Sequence, residues 1–249
     1  ADLLIANNVF AHVPNLNSFT KGVKKILKKN GIVTIEFPHL LNLIKFNQYD
    51  TIYHEHFSYF SLISSVNILK KHKLKVFDLH ILETHGGSLR LFVTHLDNKN
   101  YKIKSIVNRI ITKEIKYGLN KYNTYKLFQK NVYETNKKIY AFFNKIKNEN
   151  KKIIGFAAAA KGNTLLNFAK ITNKEILYVC DNSKFKQNKL LPGSHIPVFS
   201  PKLIKKTQPD YIIVLAWNIY DEIVAEIKKI YKKKIKFVRF IPKLKIEIK

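Results

Sequence analysis

Between residues 3 and 37 the sequence switches twice between two kinds of hydrophobic spacing, with almost no connecting length. Leu3, Leu4 and Ile5 form a continuous apolar run, as in a strand buried on both faces of a parallel sheet. After Val13-Pro14-Asn15, the residues Leu16, Phe19, Val23, Ile26 and Leu27 recur at helical intervals, and Asn30-Gly31 is expected to close that helix. Ile32 to Phe37 is again strand-like and stops at Pro38. A strand, a helix and a strand joined so tightly imply a right-handed crossover between two parallel neighbours. That constraint places the chain in the α/β class.

The alternation continues. Leu40 to Phe46 predicts a short helix, and Leu62, Ile63, Val66 and Leu69 predict another. Val76 to Leu82 and Ser88 to Leu96 read as strands separated by the turn-like Thr84-His85-Gly86-Gly87. Residues 1–100 therefore read as the second half of a doubly wound domain that finishes with a hairpin. Residues 101–150 lack proline, hold only Gly118, and place Phe128, Val132, Ile139, Phe142 and Ile146 at helical spacing. They predict two helices joining two domains, with a boundary near Asn150-Lys151. From 151 to 249 a second α/β unit is expected, with strands at Ile153–Phe156, Ile176–Cys180, Tyr211–Leu215 and Lys236–Phe240. Helices are expected from Gly162, after Pro201, and through Ile223, Ile227 and Ile230. That is a small Rossmann-like module.

Charge narrows the partners. The net charge of +28 comes from 42 lysines and only three arginines, Arg90, Arg109 and Arg239. Readers of bases and phosphates lean on the bidentate guanidinium, whereas these lysines are scattered over helix faces, so no nucleic-acid partner is expected. The field still favours small anions. No run of 18 apolar residues exists, so no membrane-spanning helix is expected. The single Cys180 rules out a disulfide framework and a thiolate metal cage within the chain, and fits a reducing, cytoplasmic compartment. The first strand begins with no turn or cap ahead of it, which suggests a piece of a longer protein. Its edge would then be a cut edge, prone to self-association.

Five stretches carry candidate chemistry. Asn7, Asn8 and His12 follow the first strand at the carboxyl rim where open parallel sheets take ligands, although Asn and Pro there also suit a strand-to-helix turn. The segment DTIYHEHFSYFS follows the second strand and brings Tyr53, Glu55 and His56 to the same rim. A histidine beside a carboxylate suits a general base, and Phe57, Tyr59 and Phe60 would exclude water. A packed aromatic loop is the competing reading, and a metal site is not expected, because this is not the helical zinc pattern and no cysteine assists. Thr84 to Arg90 offers His85 and two glycines, either near a ligand or in a plain hairpin turn. In GFAAAAKGNTLLNF, the residues Lys161, Asn163 and Thr164 open a helix that could meet phosphate, or whose small residues serve close helix–sheet packing. Asp181 and Asn182 end a strand on that rim, and Lys184 and Lys186 after them could meet a nucleotide or its phosphates, or belong to a solvated loop.

ANNVFAHVPNLNSF, EFPHLLNLI, YDTIYHEHFSYFS, THGGSLR, AKGNTLLN and DNSKFKQNKLLPGSHIPV, in this order, resemble the sugar C-methyltransferases. Those enzymes use S-adenosylmethionine to methylate a carbon of a nucleotide-diphosphate-linked keto-deoxysugar. The resemblance runs from residue 1 to about 225. It implies a three-part enzyme: a zinc-binding N-terminal module, a class I methyltransferase domain, and a C-terminal Rossmann-like domain. This chain enters the methyltransferase domain at its fourth strand, so zinc belongs to a module not represented here. The glycine-rich cofactor turn is also absent, which leaves half the S-adenosylmethionine site, with Asn7 and Asn8 on it. Carried over by position, His56 matches the general base, Tyr53 and Glu55 its active-site neighbours, and His12 and Asn8 groups facing the sugar. Substrate contacts are expected from Asn8, His85, Lys161, Asn163, Thr164 and Lys186. The alternatives are a non-catalytic nucleotide-sugar binding module and an N- or O-methyltransferase of the same fold.

Overall fold

A computed structural model describes all residues, 1–249. The chain divides into two compact units: residues 1–45 with 54–128, and residues 46–53 with 129–249.

The first unit holds β1 (Leu3–Asn7), α1 (Leu16–Ile26), β2 (Ile32–Pro38), α2 (Leu40–Lys45), α3 (Leu62–Lys71), β3 (Leu74–Leu82), β4 (Ser88–His95) and α4 (Ser105–Tyr117). Its sheet runs β1-β2-β4-β3, with β1 parallel to β2 and β4 antiparallel to both β2 and β3. This is the expected half of a doubly wound sheet, closed by a hairpin. Val33, Ile35, Phe37, Leu89, Leu91 and Val93, on the two central strands, are almost completely buried and form the middle of the core. Two details differ from the sequence reading. Strand β1 lies at the sheet edge, so Leu3 and Ile5 are 55% and 68% exposed instead of buried on both faces. Helix α1 ends at Ile26, where the Leu27 amide bonds Val23, and Asn30-Gly31 belongs to the turn into β2. The glycine that does end a helix in left-handed conformation is Gly118, at φ +90° after α4.

The second unit holds α5 (Tyr122–Asn148) from residue 129 onward and then builds β5 (Ile153–Phe156), α6 (Ala160–Phe168), β6 (Val179–Cys180), β7 (Val198–Phe199), α7 (Ile204–Thr207), β8 (Tyr211–Val214), α8 (Tyr220–Ile230), β9 (Lys236–Arg239) and β10 (Lys245–Ile248). The sheet order is β10-β9-β8-β5-β6-β7, parallel except for β10. Strands β7 and β10 are additions to the expected set, and the strand expected from Ile176 is only Val179–Cys180 long. Because β5 lies between β6 and β8, the chain reverses its winding direction at the carboxyl end of β5, which is the switch point of a Rossmann-like sheet. Helix α6 starts there and packs closely. A Cβ on Gly162 would come 2.6 Å from the Leu215 Cβ, so the glycine is required by helix–sheet approach.

Residues 46–53 complete this unit, with Asn47, Gln48, Tyr49 and Asp50 all buried. The Asn47 amide donates to Thr135 Oγ1 on α5 at 2.8 Å, and the Tyr49 ring meets Phe168 of α6 edge-on at 5.4 Å. No helix in either unit is long and apolar enough to cross a membrane.

Candidate active site

Two rim loops of the first unit meet at the tip of β1. Asn8 turns the chain at φ +55°, a conformation asparagine tolerates, and its amide donates to the Glu36 carbonyl at 2.9 Å. Phe10 is thereby sent into the core, where its ring stacks on Phe60 at 4.5 Å, with Phe37 5.2 Å from Phe60. That aromatic floor draws residues 54–60 against the turn, and the Phe57 and Ser58 amides both donate to the Ala11 carbonyl, at 2.9 and 3.3 Å. Phe57 itself is 62% exposed, so its backbone is held while its ring does not shield the site as expected.

Above the floor stand His12, Glu55 and His56. His12 Nδ1 lies 2.8 Å from the Glu55 carbonyl oxygen. A carbonyl only accepts, so Nδ1 carries a proton and Nε2 is the acceptor of the neutral ring. The His56 ring lies 4.8 Å from the His12 ring and meets Tyr59 edge-on at 5.6 Å. His12 and His56 are half-buried, while the Glu55 side chain is exposed. The arrangement is a pair of adjacent imidazoles, one with its tautomer fixed, beside a solvent-facing carboxylate. Asn7 and Asn8 are exposed at the β1 tip next to His12 in sequence. His85 is exposed at φ +55° in the β3–β4 turn. In the same turn Gly87 sits at φ +111°, and a Cβ there would meet the Asn42 side-chain amide, so the turn between β3 and β4 needs glycine.

Two buried carboxylates brace the rim. Glu114 accepts from the Leu62 and Ile63 amides at the start of α3 (2.6 and 2.9 Å) and from His39 Nε2 (2.7 Å). Glu36, at the end of β2, is paired with Arg90 through Nε and Nη2 at 2.8 and 2.7 Å. Each satisfies a charge-assisted set of donors that would be costly to leave unpaired. Sequence spacing gave no sign of these pairs.

In the second unit the residues at the switch point are engaged with one another. Lys161 Nζ donates to Asn218 Oδ1 at 2.8 Å and lies 4.8 Å over the Trp217 ring. Trp217 Nε1 donates to Asp50 Oδ2 at 2.6 Å. Burial pushes the Asp50 carboxyl up to about 6, opposed by the indole bond and the nearby Lys161 charge, and burial lowers the Lys161 ammonium. Asp50 Oδ1, the Tyr49 hydroxyl and Asn163 Oδ1 are buried without a hydrogen-bond partner. Thr164 bonds the Ala160 carbonyl within α6 at 3.2 Å. Lys186 Nζ bonds the Ala158 carbonyl at 2.9 Å and Asp181 at 3.3 Å, and Asp181 also holds the Ala158 amide. Tyr53 belongs to this unit, at the end of the 46–53 segment. Asp50 and Trp217 went unnoticed in the sequence, although a lone tryptophan just past a strand tip was an available signal. No group of three or more His, Cys, Asp or Glu side chains is arranged to hold a metal ion.

The first unit and its rim define an α/β protein of the Rossmann-like methyltransferase kind, with an imidazole pair at the carboxyl edge of its parallel strands. More narrowly, a family profile described as the C-methyltransferase C-terminal domain matches residues 83–242, and the chain belongs to that C-methyltransferase family. The chain is also 33% identical over 246 residues to C-methyltransferase NovU of Streptomyces niveus, an alignment that covers 99% of this chain and 58% of that protein. The chain thus spans less than two thirds of the length of this curated relative.

Proposed function

We propose that this chain takes part in methyl transfer from S-adenosylmethionine to a carbon next to a ketone in a nucleotide-diphosphate-linked deoxysugar, through an enolate. The observation that carries the reading is the His12–His56 pair, with His12 locked onto the Glu55 carbonyl. A carbon beside a ketone becomes nucleophilic only after it loses a proton, and imidazole is the side chain suited to take one near neutral pH. His56 is assigned that proton. Its transfer from carbon to the ring leaves an enolate, whose oxygen needs a donor. His12, when doubly protonated, keeps its Glu55 bond through Nδ1 and donates to that oxygen from Nε2. The exposed Glu55 carboxylate is assigned to a sugar hydroxyl.

S-adenosylmethionine, when bound, supplies a methyl group activated on a sulfonium. The exposed Asn7 and Asn8 amides at the β1 tip suit its polar groups, since that is the edge at which parallel sheets take ligands. The net charge of +28 favours an anionic, diphosphate-bearing acceptor. A carbon acid must lose its proton before it attacks, which gives the base its role here, and the position of the transferred label separates this from transfer to an amine or hydroxyl. The test uses protein expressed from its complete reading frame, 13C-methyl S-adenosylmethionine, and a nucleotide-linked keto sugar. A labelled methyl resonance in the carbon-bound region supports the reading. A resonance in the oxygen- or nitrogen-bound region, or binding of the sugar with no transfer, removes it.

A further inference from the structure

Arginine is scarce in this chain, three residues against 42 lysines, so each arginine marks a place where an ammonium does not serve as well. Arg90 of β4 stands in register with Glu36 of β2, and both alternate with the core residues of their strands, so they point away from the core. Arg90 Nε and Nη2 both reach Glu36 Oε2, at 2.8 and 2.7 Å, and the Thr84 hydroxyl lies 3.4 Å from Oε1. The Glu36 side chain is only 6% exposed, whereas that of Arg90 is 36% exposed. A guanidinium carries five N–H donors, and the two on Glu36 leave three for another partner. A buried ion pair seldom stabilises more than apolar side chains of similar volume would, so this pair calls for another use. Its place suggests one. Asn7 is the register partner of Glu36 on the neighbouring strand, the Asn8 amide donates to the Glu36 carbonyl, and Thr84 opens the His85 turn. Asn7 Oδ1 lies 3.5 Å from Thr34 Oγ1, which puts the exposed Asn7 side chain on the same face of the sheet as Glu36 and Arg90. All of these residues belong to the first unit, at the carboxyl rim where its parallel strands take ligands.

We propose that Arg90 is a ligand-binding residue of this rim: Glu36 holds the inner edge of its guanidinium, and the outer edge takes an oxyanion of the ligand. The identity of that ligand rests on the function proposed above. The proposed reaction offers two oxyanions, the diphosphate of the acceptor and the carboxylate of S-adenosylmethionine. Either matches the paired donors of a guanidinium, which the single ammonium of lysine does not reproduce. Glu36 is then the positioning residue, since its carboxylate fixes the plane of the Arg90 fork. Arg90→Lys keeps the charge and removes the fork, and Glu36→Gln removes the charge and keeps an acceptor for the guanidinium.

Two measurements test it. In this chain the three arginines give three Nε–H signals in a proton–nitrogen NMR spectrum, and the signal lost in Arg90→Lys is that of Arg90. The chain is titrated with inorganic pyrophosphate and, separately, with S-adenosylhomocysteine, which carries a carboxylate and no phosphate. One of the two probes should shift the Arg90 signal saturably, at least threefold further than those of Arg109 and Arg239. In the complete protein, Arg90→Lys should raise KM at least tenfold for the substrate bearing that oxyanion, with kcat and the other KM within threefold. The same rise should persist when Glu36→Gln is already present, because an arginine that only neutralised Glu36 would then be dispensable. No saturable shift with either probe, equal shifts of all three signals, or loss of the KM effect in the Glu36→Gln background would each overturn the assignment. A shift centred on Arg90 in a protein that transfers no methyl would remove the proposed reaction and leave the oxyanion site standing.

Discussion

Asp50→Asn exchanges a buried carboxylate for an amide of nearly the same shape, one that can still accept from the Trp217 indole. Burial holds the native carboxyl at about 6, against an ordinary value of 3.8. At about 1.4 kcal/mol for each tenfold in proton affinity, that gap corresponds to about 3 kcal/mol of cost for ionising Asp50 in the folded second unit. The native state binds this proton more tightly than the unfolded chain does. Folding therefore takes up a proton between pH 3.8 and about 6, and the contribution of Asp50 to stability falls as the pH rises through that window. The asparagine variant cannot ionise. Its second unit should be more stable than wild type by up to about 3 kcal/mol at pH 7.5, with the advantage shrinking towards zero at pH 4. The assay is urea unfolding followed by the fluorescence of Trp217, the only tryptophan in the chain, which reports the second unit directly. Wild-type and variant stabilities that run parallel from pH 4 to 7.5 would refute the reasoning.

Glycine substitutions should separate conformational need from helix propensity. Gly87→Ala meets the Asn42 amide at φ +111° and should destabilise the first unit by about 1–3 kcal/mol in denaturant titration, whereas Gly22→Ala, in α1 with open space around it, should stabilise by about 0.5–1 kcal/mol. Cys180 is buried, and burial together with Asp181 pushes its thiol up to about 12. It should resist alkylation at pH 8 in the native protein and react fully once unfolded, with the modified fraction read by mass spectrometry.

The alternation of strands and helices was legible because each element carries its own period: helical spacing from Leu16 to Leu27 and apolar runs at Ile32–Phe37 and Tyr211–Leu215. What was not legible was the exposed face of β1. Leu3-Leu4-Ile5 has the composition of a strand covered on both faces, and only the structure shows Leu3 and Ile5 in solvent. Strand β7, of two residues, carries too little pattern to stand out. Within the candidate site, His12 and His56 could be put on one rim because each follows a parallel strand. The tautomer of His12 could not, since it depends on a backbone carbonyl 43 residues away. The same holds for Asp50 with Trp217, 167 residues apart, and for His39 with Glu114, 75 apart. Such pairs leave no local spacing to read, and the clustering of Lys161, Asn163 and Thr164 at a helix start resembled an anion site because sequence alone does not show Asn218 and Trp217 facing the lysine.

The central claim is that the imidazole of His56 takes a proton from carbon, and hydrogen exchange at that carbon tests it without the methyl donor. A nucleotide-linked keto sugar is incubated in deuterium oxide with protein from the complete reading frame, and loss of the proton signal beside the ketone is followed by NMR. Wild type should exchange it, and His56→Asn should slow that exchange by about 100-fold or more. Exchange by the His56→Asn variant at the wild-type rate would contradict the account.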